Sequence, residues 1–217
     1  KLKEWNVKIA RGVITGFNEA FIIDQAKRDE LVATDPQSEN IIKPILSGKD
    51  IKRYNYNWNN QYIIITKFGS YKTLQSDYPA ICEHLKKYET KLKARGQCKY
   101  SRTGRKGINT DYEGQHHWLE LDNNLKDEYL DMFEVDKIAW GNLGLRSQFS
   151  LVKSGIFINA PSPLITPCSK YLIAILNSSL GDWYIRKLGV TRNGGYFEYK
   201  PMFVDKLPIP QLTPQNQ

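Results

Sequence analysis

Asp182, followed by Glu198-Tyr199-Lys200, repeats the D…ExK spacing with which metal-dependent nucleases hold a divalent cation between two carboxylates and orient the attacking water with a lysine. That chemistry needs its acids on adjoining strands, whereas Asp182 falls inside an apolar helical periodicity. So loose a match also arises by chance in a basic protein, and a nuclease is carried forward as an alternative. Cys82, Cys98 and Cys168 are odd in number, widely spaced and without a CxxC pair, which reads as reduced thiols in a cytoplasmic protein. His84, His116 and His117 do not combine with them at metal-ligand spacing, and the adjacent His116-His117 are expected to point apart. There is no GxxxxGK[ST], no GxGxxG after a strand, and no Asn-Pro-Pro-aromatic tetrapeptide to hold a flipped base. No catalytic, metal or cofactor residue is expected in this chain.

Binding chemistry is better supplied. The 217 residues carry 31 Lys+Arg against 23 Asp+Glu, a net charge of +8. Lys86, Lys87, Lys91, Lys93, Arg95, Lys99, Arg102, Arg105 and Lys106 are opposed only by Glu89 within their stretch, so about a tenth of the chain holds the whole excess. From Cys98 to Gly107 the cations alternate with Gly, Ser and Tyr100 without periodicity, which reads as a basic loop able to approach a polyanion. A solvated helix face followed by a loop would look the same. With 41% hydrophobic and 25% charged residues the composition is that of a globular domain. No aliphatic run approaches the ~20 residues of a membrane span, no signal peptide opens the chain, and no membrane partner is expected.

These residues need elements to hold them. Residues 11–24 read as strand, tight turn and strand, with the turn at Gly16 and Asn18. Residues 26–34 read as a short helix, and Ser38 as the cap of a second helix from Glu39 to Leu46. Tyr62 to Thr66, Lys137 to Trp140, Gln148 to Val152 and Ile156 to Asn159 read as strands. Asp77 caps a helix with apolar Ile81, Leu85, Tyr88 and Leu92 that ends at Gly96. From Ser169 the longest helix is predicted to run to Gly189, with Leu172, Leu176, Leu180 and Trp183 as its stripe. A short strand from Tyr196 to Tyr199 and a proline-fixed exit, Leu207-Pro208-Ile209-Pro210, follow. Without a regular βαβ rhythm the fold class is α+β, a mixed or antiparallel sheet with packed helices.

Five blocks together resemble the TaqI-like C-terminal specificity domain family. They are residues 8–24 (Lys8-Ile9-Ala10-Arg11-Gly12 to Asp24), 41–54 (Ile41-Ile42-Lys43-Pro44 to Tyr54), Tyr78-Pro79-Ala80-Ile81 to Arg95 followed by Trp118-Leu119-Glu120-Leu121, Tyr171 to Ser178, and Leu207 to Pro210. The resemblance implies a target-recognition domain over residues 1–210, with 211–217 starting a linker or tail. It implies a double-stranded DNA partner and an adenine-N6 methyltransferase domain, in some relatives also a nuclease domain, N-terminal to Lys1 in a bacterial restriction-modification enzyme. S-adenosylmethionine would bind that other part.

Base readers are expected in the polar loops between blocks, Lys99 to Gly107, Asn142 to Gln148 and Thr191 to Tyr196. Arg102, Arg105, Arg146 and Arg192 could each take guanine O6 and N7, and Asn142, Gln148 and Asn193 could pair with adenine. Lys49, Lys52, Arg53, Lys99 and Lys106 suit phosphates. Asn177 is expected to bond a neighbouring backbone, and Trp118 to belong to the core. An RNA-binding or protein-docking module is the remaining alternative.

Overall fold

Strands that are buried at every position need a partner on both faces, and two of them organise this chain. The computed structural model describes residues 1–99, 112–122 and 125–210. In it β1 (Lys8–Arg11), β11 (Pro163–Thr166), β7 (Lys137–Trp140) and β9 (Phe149–Val152) form an antiparallel sheet in that order, with β7 and β11 buried throughout. The two-residue period of a strand divides its side chains between two cores. Ala10, Ala139, Val152 and Leu164 face the first, and Ile9, Ile138, Trp140, Phe149 and Ile165 face the second.

The first core is closed by a mixed sheet, β10 (Phe157–Ile158), β3 (Ile42–Leu46), β6 (Gln61–Ile64) and β2 (Ile22–Asp24), in which β10 runs parallel to β3. Helices Gln25–Thr34 and Pro79–Lys86 contribute Leu31, Ile81, Cys82 and Leu85 to it, and Trp118 packs against its edge. The second is closed by helices Lys170–Leu176 and Ser179–Leu188 and by the exit segment, whose Leu207 and Ile209 are buried beside Leu2. Two ribbons complete the frame: β4 (Ile51–Lys52) with β5 (Asn55–Tyr56), and β8 (Leu143–Gly144) with β12 (Phe197–Glu198). The α+β class is as expected.

Several local expectations are overturned. Residues 11–24 do not form a hairpin: β1 pairs with β11 and β2 with β6, while Asn18–Phe21 is a helical turn. Residues 39–46 are not a helix. A 3-10 turn ends at Ile41 and Ile42–Leu46 pairs with β6, a state that accommodates Pro44 opposite Tyr62. The helix after Tyr78 stops at Lys86 and resumes over Glu89–Lys93, and Gly96 begins the turn Gly96–Lys99 instead of ending the helix. The long helix is two. Asn177 and Ser178 break it, and the Ser178 hydroxyl caps the second half by accepting from Gly181 N at 2.9 Å. The break rotates the stripe, so Leu180 (73% exposed) and Trp183 (55%) face outward.

Candidate nucleic-acid interface

Several chain segments far apart in sequence meet along one furrow. Its middle is lined by Lys49, Lys52, Asn142, Leu143, Leu145, Arg146, Gln148, Ser162 and Tyr196. One arm shares Gly48, Lys49 and Pro161 with it and adds Asn18, Asp50, Asn59 and Gln61. The other shares Leu145 and Arg146 and adds Arg53, Ser147, Asp182, Trp183, Arg186 and Lys187. Two glycines permit the meeting. A Cβ on Gly48 would lie 2.7 Å from Ser162 Oγ and 3.2 Å from Gly141 Cα, and one on Gly141 would lie 3.1 Å from the Gly48 carbonyl oxygen.

Each cation stands on a braced element. Asp50 Oδ2 accepts from Ser47 N at 2.8 Å and from its hydroxyl at 2.6 Å, which closes the 3-10 turn Gly48–Asp50 that exposes Lys49. Lys52 and Arg53 sit at the tip of the β4–β5 ribbon, and Arg53 Nη2 donates to the Asn177 carbonyl at 2.9 Å. The loop carrying Arg146 is held at both ends. β8 pairs with β12, Tyr199 N donates to the Asn142 carbonyl at 2.9 Å, and Ser147 N donates to Asp182 Oδ1 at 2.7 Å. Beyond it the buried Asn177 amide clasps β9, accepting from Phe149 N at 3.0 Å and donating to its carbonyl at 2.9 Å. Asn177 thus bonds a backbone, as its position suggested. The exposed Arg146 side chain has no carboxylate within 4.0 Å among the described residues, and the buried Asn142 Oδ1 has no hydrogen-bond donor.

The other sequence candidates divide. Arg102, Arg105 and Lys106 lie outside the described residues, as does Tyr100. Lys99 closes the turn Gly96–Lys99 and is not among the residues lining the furrow. Asn193 is exposed in the turn Asn193–Gly195, also outside the lining. Arg192 is engaged within the chain: its Nε lies 2.6 Å from Glu198 Oε1, which Nη2 also contacts. Sequence reasoning missed Arg186, Lys187, Trp183 and Tyr196. The signal for the first three was Ser178 with Gly181 three residues on, a cap that restarts the helix and turns its periodicity.

The nuclease constellation is not assembled. Asp182 Oδ1 accepts from Ser147 N and, at 2.7 Å, from the hydroxyl of the buried Tyr199, while Arg186 lies 3.4 Å from Oδ2. Burial, and then the Asp182 carboxylate, push the Tyr199 phenol far above its ordinary pKa, so it remains the donor. Glu198 is taken by Lys200 at 2.8 Å and by Arg192, which together hold its carboxyl below the ordinary range. Both acids serve as internal acceptors.

A second cluster forms where sequence spacing showed none. Cys98 Sγ lies 3.7 Å from His116 Nδ1, and His116 Nε2 lies 3.2 Å from Asp122 Oδ1, which also stands 3.3 Å from Arg95 Nη1. Three donor atoms within 4.8 Å of one another could hold a metal ion. Burial opposes charge on His116, but Asp122, Cys98 and the His117 carbonyl outweigh it and push the imidazole up to about 9. With Arg95 these groups form a buried network of polar and charged side chains.

A model of the TaqI-like C-terminal specificity domain matches residues 43–209, which leaves the first of the five blocks outside the match. The type II methyltransferase M.MjaIV of Methanocaldococcus jannaschii is 24% identical over 210 residues, 95% of this chain and 65% of that protein. The type IIL restriction-modification enzyme MmeI, solved in complex with DNA, shares the fold with a TM-score of 0.65 at 11% identity, over 91% of this chain and 24% of that one. The type IIG restriction endonuclease BpuSI shares it with a TM-score of 0.52 at 12% identity, over 98% of this chain and 24% of that one. The chain therefore spans just under two thirds of the methyltransferase and about a quarter of either solved chain.

Proposed function

The chain belongs to the TaqI-like C-terminal specificity domain family, and from that premise we propose that its furrow reads double-stranded DNA for a catalytic domain of the same polypeptide. The observation that carries this is the convergence of Lys49, Lys52, Arg53, Asn142, Arg146 and Gln148 from two segments about ninety residues apart onto one surface. Lys49, Lys52, Arg53, Arg186 and Lys187 supply phosphate partners, which set register and orientation. Arg146, with no carboxylate at its guanidinium among the described residues and its backbone clamped, is the residue suited to a guanine edge. Gln148, on the same lining, carries an amide suited to adenine.

In this reading the parent is an adenine-N6 methyltransferase, with or without a nuclease, working in the cytoplasm, and S-adenosylmethionine belongs to its catalytic domain. Flipping of the target base occurs there, and this domain supplies the address. Selection from a randomised duplex pool tests the proposal. A defined word should be enriched, and single-stranded RNA of equal length should compete poorly. Equal competition by RNA, or recovery of no word, would overturn it.

A further inference from the structure

At Tyr54 the backbone takes a φ of +66°, in the left-handed region. Five of the seven described residues at positive φ are glycine, and a sixth, Asn60, is of the type that tolerates it. Tyr54 is the exception, because a Cβ there crowds the following carbonyl. The fold imposes the conformation. Ile51 pairs with Tyr56 and Lys52 with Asn55, leaving Arg53-Tyr54 as a two-residue turn, and Tyr54 N is bound to the Phe149 carbonyl at 2.9 Å. The fold does not impose the aromatic ring. That ring is 54% exposed and adds little to either core. Its cationic neighbour is the Arg53 guanidinium, 5.2 Å from the centroid and itself moored on the Asn177 carbonyl.

A chain that needed only this turn would be better served by glycine or asparagine. Tyr54 also follows directly on Lys52, which lines the middle of the furrow, and Arg53, which lines one arm. Backbone strain at such a place, with no internal use for the side chain, is what a ligand-contacting residue shows. We propose that Tyr54 is a DNA-contact residue. Its ring, backed by the Arg53 guanidinium, packs on the sugar–base surface of the duplex and adds an uncharged contact beside the phosphates held by Lys52 and Arg53. The inference rests on the DNA-reading proposal above and assigns to that surface an aromatic anchor.

Tyr54→Asn and Tyr54→Phe test it, each measured for thermal stability and for duplex affinity across a salt series. Relief of the left-handed strain should raise the melting temperature of Tyr54→Asn by about 2–6 °C. Its duplex affinity should fall about tenfold, the scale of one lost aromatic packing contact. The salt slope should not change, since no cation is removed. Tyr54→Phe should keep most of the affinity. Wild-type affinity in Tyr54→Asn would overturn the proposal, as would a lowered melting temperature, which would make the ring part of the fold. A shallower slope would also overturn it, by showing that the change acts through Arg53 or Lys52. Failure of the wild-type protein to bind duplex DNA would remove the underlying reading as well, and is distinguishable because it appears before any substitution is made.

Discussion

Replacing Asp182 with alanine tests whether this acid is a brace or a metal ligand. Its Oδ1 accepts two buried donors at 2.7 Å, the amide of Ser147 and the hydroxyl of Tyr199, whose residues are 3% and 1% exposed. Alanine leaves both unpaired, and each stranded buried donor costs about 1–3 kcal/mol. The Arg186 contact at 3.4 Å is partly solvated and adds little. The expected loss is therefore about 2–5 kcal/mol, or roughly 5–15 °C in melting temperature for a chain of this length. Asp182→Asn keeps an acceptor for both donors and should lose only about 1–2 kcal/mol, the part due to charge. Tyr199→Phe should cost about 1 kcal/mol alone and much less in the Asp182→Ala background, where its partner is already gone. Urea unfolding at constant m-value reads all four variants against wild type. Additive losses in the double variant, or an alanine variant as stable as wild type, would refute the brace. A metal ligand would behave oppositely, with unchanged stability and abolished Mg²⁺-dependent cleavage. Because Ser147 follows Arg146, the alanine variant should also lose base preference at moderate temperature, before it unfolds.

The remaining expectations concern charge. His116 is pushed up to about 9 from 6.5. The folded chain therefore binds more protons between those values, and the stability His116 contributes, about 3 kcal/mol, is complete below pH 6.5 and lost as pH rises through 9. His116→Asn should flatten that decline in urea midpoints. Lys137 has the opposite sign. Burial pushes it down to about 8 from 10.5, its Nζ donating to the carbonyls of Phe133, Val135 and Lys153. Stability should rise across that window, and Lys137→Met should abolish the rise while destabilising the protein. Removing Lys49, Lys52 and Arg53 together should weaken every duplex and make the log–log salt slope shallower by about 2.7, at roughly 0.9 per phosphate. Arg146→Ala should relax one base position alone, and Arg192→Ala none; the reverse result would reassign the reader. Calorimetric titration with S-adenosylmethionine should detect no site on this chain, and a stoichiometric one would contradict the proposed division of labour.

Local physical chemistry made several parts legible in the sequence alone. The apolar runs at 61–64, 137–140 and 149–152 are strands because β-branched and aromatic residues leave no other buried state so short. Ser169 caps its helix, accepting from Leu172 N at 3.0 Å, because its side chain needs only a neighbour three residues on. The family, too, was legible, since five ordered blocks need no coordinates. What stayed hidden depends on partners distant in the chain. Val13 bridges Asn159 and not the strand expected across a local turn, and β3 is a strand because Ile64 and its neighbours lie opposite it. Asn177 ends a helix because its amide is spent on Phe149, and that break turns Trp183 and Arg186 toward the furrow. Arg146 and Arg192 look alike in sequence, each in a loop with glycine and asparagine. Only the pairing of β8 with β12 and the position of Glu198 bind one guanidinium and leave the other without a carboxylate among the described residues. Residue type sets what a side chain can do. Which groups compete for it is a property of tertiary neighbours, and hydrogen bonds and ion pairs act over too few ångströms to be read from spacing along the chain.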